Sequence, residues 1–331
     1  MSQKTAQCPR KNAVVDGEKI SREDDASLTV RAAWLHYGAG LTQAEVAKRL
    51  GVPSLKAHRL IARANRDGLI RISVDGNIST CLRLEEQICK IYGLKSCEVA
   101  PDLDDAPMPL KALGMAGARF LRLALESGED PVIGLGHGRT LAAAASMLPK
   151  MDVPHTKFVS LLGGLTRRYA ATPYDVIHRL AERTGAEAFV LPLPFYANSV
   201  EDRSVLLSQK GVGDVMQMGI GSTLRFVGIG SMEADASLLS TGMLEQNEFE
   251  DVRSAGGVGE VLGHIFGRSG QLIDTAISER TLSMAPEDIG RQRTVAIAGG
   301  RSKVEAIKGV LASGLIHGLV TDERTASALV A

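Results

Sequence analysis

Short apolar runs recur through the larger, C-terminal part of the chain: Val132-Ile133-Gly134-Leu135, Lys157 to Leu162, Ala188-Phe189-Val190-Leu191, Arg225 to Ile229, Thr294 to Ala298 and Leu319-Val320. Amphipathic stretches such as Val176 to Thr184 and Val304 to Ala312 lie between them. Runs this short read as strands buried on both faces. Their alternation with helices predicts a doubly wound α/β body, a mostly parallel sheet with helices on both sides. Ligands in such sheets settle outside the carboxyl ends of the strands, and here those ends carry chemistry. Gly134-Leu135-Gly136-His137-Gly138-Arg139-Thr140 follows one strand and opens a helix. Its backbone N–H groups and the helix N-terminus suit an anion or hydroxyl, with Arg139 as a cation and Thr140 as a hydroxyl donor. Other strands end in Gly163-Gly164 (then Thr166, Arg167 and Arg168), in the rigid Leu191-Pro192-Leu193-Pro194-Phe195, and in Gly228-Ile229-Gly230-Ser231; Gly256-Gly257-Val258-Gly259-Glu260 comes next. The last is Gly299-Gly300-x-x-Lys303, which puts Lys303 in the first turn of a helix, able to balance a phosphate or bond a sugar hydroxyl. Convergence of these ends points to a polar small-molecule site, although turn geometry alone accounts for part of the glycine.

The N-terminal part has a different character. Between Leu28 and Val74, Arg31, Lys48, Arg49, Lys56, Arg59, Arg63, Arg66 and Arg71 are opposed only by Glu45 and Asp67. The whole chain balances 38 Lys and Arg against 38 Asp and Glu, so the remainder carries the matching acidic excess. A split of this kind marks a nucleic-acid-binding segment on an acidic body. Leu28 to Tyr37 reads as a helix ended by Gly38-Ala39-Gly40. Thr42-x-x-Glu45 is a capping box that starts a second helix presenting Ala44, Ala47 and Leu50, and Gly51-Val52-Pro53 breaks it. A third helix, Ser54 to Arg66, has Ala57, Leu60, Ile61 and Ala64 as its buried face and Lys56, Arg59, Arg63 and Arg66 as a basic stripe. This is helix-turn-helix spacing, whose last helix enters the major groove of double-stranded DNA. The expected DNA-contacting residues are Thr42, Gln43, Ser54, Lys56, His58, Arg59 and Arg63. Leu69 to Val74, the turn Asp75-Gly76 and Ile78 to Leu82 read as a hairpin wing, and Leu82 to Tyr92 as a linker helix. The expected organisation is a mobile tail over 1–27, a winged helix-turn-helix over 28–81, a linker helix over 82–94 and an effector domain over 95–331.

Several function classes are disfavoured. Cys8, Cys81, Cys89 and Cys97 form no C-x-x-C pair, and the scattered histidines give no ligand spacing, so reduced thiols and no metal or other cofactor are expected in a cytoplasmic protein. No apolar run reaches membrane-spanning length and Met1 to Ser27 lacks an apolar signal core. Gly134-x-Gly136 and Gly228-x-Gly230 do not continue into a dinucleotide fingerprint. A sugar-phosphate isomerase or deaminase is the alternative reading. It needs a general acid/base, for which Glu260, His137 and Asp322 are available, but they form no compact constellation and such an enzyme has no use for a basic helix-turn-helix.

Leu41-Thr42-Gln43-x-Glu45-Val46-Ala47-x-x-Leu50-Gly51-Val52 resembles the helix-turn-helix of the SorC family of sugar-binding transcriptional regulators, sometimes grouped with DeoR-type regulators. The body is similar to that family at Gly134-x-Gly136-x-Gly138-Arg139-Thr140-Leu141, Gly163-Gly164, Gly228-Ile229-Gly230, Gly259-Glu260, Gly299-Gly300-x-x-Lys303 and Leu319-Val320-Thr321-Asp322-Glu323-x-Thr325-Ala326. The resemblance runs from about Leu28 to the C-terminus. It implies a fold related to glucosamine-phosphate deaminases and ribose-phosphate isomerases, used for sensing rather than catalysis. It also implies a homo-oligomer, dimer or tetramer, with operator DNA and a sugar, polyol or sugar phosphate as partners. Gly136, Arg139, Thr140, Glu260 and Lys303 would line the pocket, and the full expected effector set adds His137, Gly138, Gly163, Gly164, Gly228 and Gly230. The chain departs from the family at His137, where many members carry Trp, and at Gly267, where many have Asp. Arg31-Ala32-Ala33-Trp34-Leu35-His36-Tyr37 and Lys56-Ala57-His58-Arg59-Leu60-Ile61 look most like regulators of erythritol catabolism, which implies a four-carbon polyol or its phosphate as effector. The expected function is repression of a carbohydrate or polyol catabolic operon.

Overall fold

The structure, a computed structural model, describes residues 17–70, 79–103, 108–166, 174–233 and 236–331. The chain divides into two units, residues 1–75 and 76–331.

In the first unit, α1 (Gly17–Ala33) runs into a wider helical turn, Trp34–Gly38, followed by α2 (Gln43–Leu50) and α3 (Ser54–Arg66). Apolar residues at helical spacing meet in one small core built from Ala32, Val46, Ala47, Ala57, Leu60 and Ile61. The capping box forms as the sequence predicts: Thr42 N donates to Glu45 Oε2 at 2.8 Å and Glu45 N to Thr42 Oγ1 at 3.4 Å. The helix starts at Gly17 rather than Leu28, so residues 17–27, expected as tail, are helical. Asp25 pairs with Lys56 at 3.2 Å and with Arg63 at 3.8 Å, and its carbonyl accepts the Thr29 hydroxyl at 2.7 Å. The wing's turn, Asp75-Gly76, and most of its strands lie outside the described residues. Ser79 to Leu82, expected as strand, instead opens α4 (Ser79–Tyr92), because Cys81, Leu84 and Ile88 bury at helical spacing.

Among the described residues of the second unit, β1 (Ser96–Ala100), β2 (Val132–Leu135), β3 (Lys157–Ser160), β4 (Glu187–Phe189), β5 (Leu224–Val227), β9 (Arg293–Ile297) and β10 (Gly318–Asp322) form a seven-stranded parallel sheet, ordered β1-β10-β9-β5-β2-β3-β4. A second, antiparallel ribbon joins β6 (Gly230–Ser231), β7 (Gly259–Val261) and β8 (His264–Phe266). After α4, which belongs to this unit, the described α-helices are α5 (Leu110–Ser127), α6 (Arg139–Met147), α7 (Ile177–Thr184), α8 (Val200–Leu207), α9 (Val212–Gly221), α10 (Ser237–Ser240), α11 (Gln246–Ser254), α12 (Pro286–Ile289), α13 (Val304–Ala312) and α14 (Glu323–Val330). Successive strand residues feed two cores, as a two-sided sheet requires. Phe226, Val295, Ile297 and Val320 join the cluster with Leu121, Leu141 and Phe158. Val227, Ala296, Ala298 and Leu319 join the other, with Phe249, Phe266 and Ile307. The linker helix α4 packs into the second core, and its Glu85 accepts the edge amide of Val99 at 2.8 Å. No helix among the described residues is long and apolar enough to cross a membrane.

Candidate effector cleft and nucleic-acid face

From β2 the chain steps outward through β3 to β4, then returns to place β5, β9 and β10 on the other side of β2. The strand order therefore reverses between β2 and β5, and loops leaving a sheet at such a point part to leave a crevice. A small polar cleft sits there. Its walls include His137 and Gly138 of the β2–α6 loop, Arg139 and Thr140 in the first turn of α6, Gly228 and Ile229 of the β5–β6 loop, Gly230 and Ser231 of β6, Glu260 of the ribbon and Lys303. Gly138 has φ +128°, a conformation that admits glycine readily and other residues poorly, and it sets the first turn of α6 against the cleft.

The polar side chains are poised differently. His137 stacks on Phe195 with ring centroids 4.9 Å apart and 9° between planes. Burial pushes its pKa down to about 4, so the ring is neutral near pH 7. Its Nδ1 and the Nε of Arg139 are buried without a hydrogen-bond partner among the described residues. Thr140 donates its hydroxyl proton to Ile297 O at 2.6 Å, so towards a ligand it can only accept, not donate as its sequence context suggested. Glu260 accepts from Gly263 N at 2.5 Å. Burial pushes its carboxyl up to about 7, opposed by that N–H and by Lys303. Lys303 closes a short 3₁₀ turn, Arg301–Lys303, immediately ahead of α13, and Nζ donates to Ile229 O at 2.7 Å. The ribbon is what brings Glu260 here, because it registers Glu260 opposite Gly230.

Of the expected effector residues, His137, Gly138, Arg139, Thr140, Gly228, Gly230, Glu260 and Lys303 line this cleft. Gly136 and Gly164 line an adjoining cavity that shares His137, Leu162 and Tyr174 with it. Gly163 lines neither. Its N–H donates to Leu282 O at 2.8 Å, and a Cβ there would collide with Pro194 O, so this glycine serves backbone packing. Arg167 and Arg168 lie outside the described residues. Asp322 is not in the cleft; it caps α14 through Thr325 N at 3.0 Å. Tyr174, Ser237, Thr241 and Met243 also line the cleft and were not anticipated. Ser237 and Thr241 stand one helical turn apart just after the marked Gly228-to-Ser231 end, a spacing that could have signalled them. Among the described residues no three His, Cys, Asp or Glu side chains gather as a metal site.

On the first unit, Gln43, Ser54, Lys56, His58, Arg59 and Arg63 are exposed. Lys56 and Arg63 are drawn to Asp25, and the exposed Thr42 is engaged in its cap, its hydroxyl donating to Glu45 Oε2 at 2.7 Å.

Residues 76–331 match the Sugar-bind family, a sugar-binding domain. Over 306 residues the chain is 54% identical to the erythritol catabolism regulatory protein EryD of Brucella abortus, covering 92% of this chain and 97% of that one. It is 31% identical over 312 residues to the transcriptional regulator LsrR of an Enterobacter species, with 93% and 94% covered. Its structure is similar to the full-length sorbitol operon regulator SorC from Klebsiella pneumoniae, with TM-score 0.68, 27% identity and 93% and 100% coverage. A DeoR family transcriptional regulator from Listeria monocytogenes shares the fold at TM-score 0.70 and 21% identity, over 75% of this chain and 99% of that one.

Proposed function

This chain belongs to the SorC-type family of sugar-binding transcriptional regulators, and from that premise we propose that it represses a polyol catabolic operon, releasing operator DNA when a four-carbon polyol or its phosphate fills the cleft. Its relatives are regulators rather than enzymes. The observation that carries the ligand reading is the pair of buried atoms, His137 Nδ1 and Arg139 Nε, left without partners among the described residues beside Glu260 and Lys303. A buried polar atom left unpaired costs about 1–3 kcal/mol. A chain of adjacent hydroxyls relieves both, since each hydroxyl donates and accepts. Arg139 Nε donates to one oxygen, His137 pairs with a neighbouring hydroxyl, and Glu260 and Lys303 take the far end. A phosphate would sit instead at the α6 N-terminus with Arg139 and Lys303. The 54% identity to a regulator named for erythritol catabolism supports the four-carbon length. The protein works in the cytoplasm as a homo-oligomer, dimer or tetramer, because a two-fold operator calls for paired recognition helices.

Thermal unfolding of the full chain with erythritol, erythritol phosphate, sorbitol and ribose 5-phosphate tests this. A ligand that binds only the folded form stabilises it by about 2.7 kcal/mol at a hundred times its Kd. Erythritol or its phosphate is expected to raise the midpoint in the native chain and much less in Lys303→Ala. A response to sorbitol or ribose 5-phosphate alone would contradict the assignment.

A further inference from the structure

The basic side chains of α3 do not share one face. Lys56 and Arg63 lie two turns apart on the flank turned towards α1, where the Asp25 carboxylate reaches both, at 3.2 and 3.8 Å. The side directly opposite the buried Ala57, Leu60, Ile61 and Ala64 is a different ridge, Leu55, Arg59, Ala62 and Arg66, whose steps of four, three and four residues keep it on one line. Leu55 opens that ridge in the first turn of the helix and is 63% exposed. Single exposed leucines are ordinary on protein surfaces. This one stands one turn before Arg59 on the outward line, in the half of the helix that a helix-turn-helix inserts into DNA. Leucine has nothing to offer a phosphate or a base-edge hydrogen bond. The apolar feature of the major groove is the thymine 5-methyl group. Ala62, the next ridge position, is small enough to let the helix sit close.

We propose that Leu55 reads a thymine methyl group in the major groove, alongside Arg59, while Lys56 and Arg63 act on the phosphate backbone from the flank. This rests on α3 being the recognition helix. Burying one methyl-sized group contributes about 0.8 kcal/mol, a factor of about four in affinity.

The test uses the full chain and duplex DNA that it selects from a random library, with each thymine replaced in turn by uracil, which lacks only the methyl. The native chain is expected to lose about fourfold in affinity at one thymine in each half-site. Leu55→Ala should bind the unmodified duplex as weakly as the native chain binds a duplex with the contacted thymine of both half-sites replaced by uracil, and should no longer distinguish thymine from uracil at those positions. Lys56→Ala should bind more weakly everywhere, with a shallower salt dependence, yet keep the methyl preference. Because Leu55 is exposed, circular dichroism melts of Leu55→Ala and native protein should coincide. A Leu55→Ala chain that discriminates thymine from uracil as the native one does would overturn the proposal, as would a selected duplex indifferent to every thymine methyl. If the native chain enriches no duplex at all, the assignment of α3 to DNA fails first and this inference with it.

Discussion

Glu260 and His137 share the cleft and respond oppositely to its burial. Glu260 is raised from 4.5 to about 7, so its contribution to stability is fully present below about pH 4.5 and is lost as the pH rises through about 7. His137 is lowered from 6.5 to about 4, so its contribution is present above about pH 6.5 and is lost as the pH falls through about 4. Between pH 4.5 and 6.5 the two slopes oppose each other. Glu260→Gln removes one and leaves the other. Urea denaturation of that variant at pH 4.5 and 6.5 should show stability rising with pH more steeply than in the native chain. Equal slopes in the two proteins would mean that the Glu260 carboxyl ionises as it would in water.

At the scale of elements, the end of β10 sets the position of Lys303. Asp322 Oδ2 accepts from Thr325 Oγ1 at 2.6 Å and from Gly300 N at 3.2 Å, and Thr325 Oγ1 also accepts from Gly300 N at 2.8 Å. The β9–α13 loop is thus pinned just ahead of Arg301–Lys303. Asp322→Ala removes a helix cap and strips a buried hydroxyl and amide of a partner, a loss of about 2–4 kcal/mol. Denaturant titration should show that loss, and calorimetry should show weaker binding of erythritol or its phosphate. Unchanged stability would mean that the loop holds without Asp322. The Gly299-Gly300-x-x-Lys303 and Leu319-to-Ala326 segments were legible in the sequence, but their mutual support was not, because Asp322 and Gly300 meet only when β9 and β10 pair. The central strands were legible for a local reason: each is a short apolar run bounded by glycine or turn residues. The ribbon strands, two or three residues long, carry no period, so the partner of Glu260 could not be inferred. Ser79 to Leu82 followed an Asp-Gly turn and read as strand until burial of Cys81 and Leu84 decided for helix. Gly163 shows the ambiguity of glycine itself, since backbone packing and ligand approach leave the same mark in a sequence.

At the scale of the whole molecule, one chain holds the helix proposed to read DNA and a polar cleft, and the proposed regulation requires the two to be energetically linked. A ligand changes DNA affinity only if it binds the DNA-competent and DNA-incompetent arrangements unequally. A coupling of about 1–3 kcal/mol corresponds to a change of roughly 5- to 150-fold. Self-association belongs to the same scale: sedimentation velocity should show a dimer or tetramer with and without ligand, and a monomer throughout would leave each recognition helix unpaired. The most direct measurement is fluorescence anisotropy of a labelled duplex, selected from a random library by the full chain, titrated with protein in the presence and absence of erythritol and of erythritol phosphate. One of these should weaken DNA binding by at least fivefold in the native chain, while Lys303→Ala binds the duplex normally and ignores both. DNA affinity indifferent to both compounds, or a Lys303→Ala chain that still responds, would contradict control of DNA binding from the cleft.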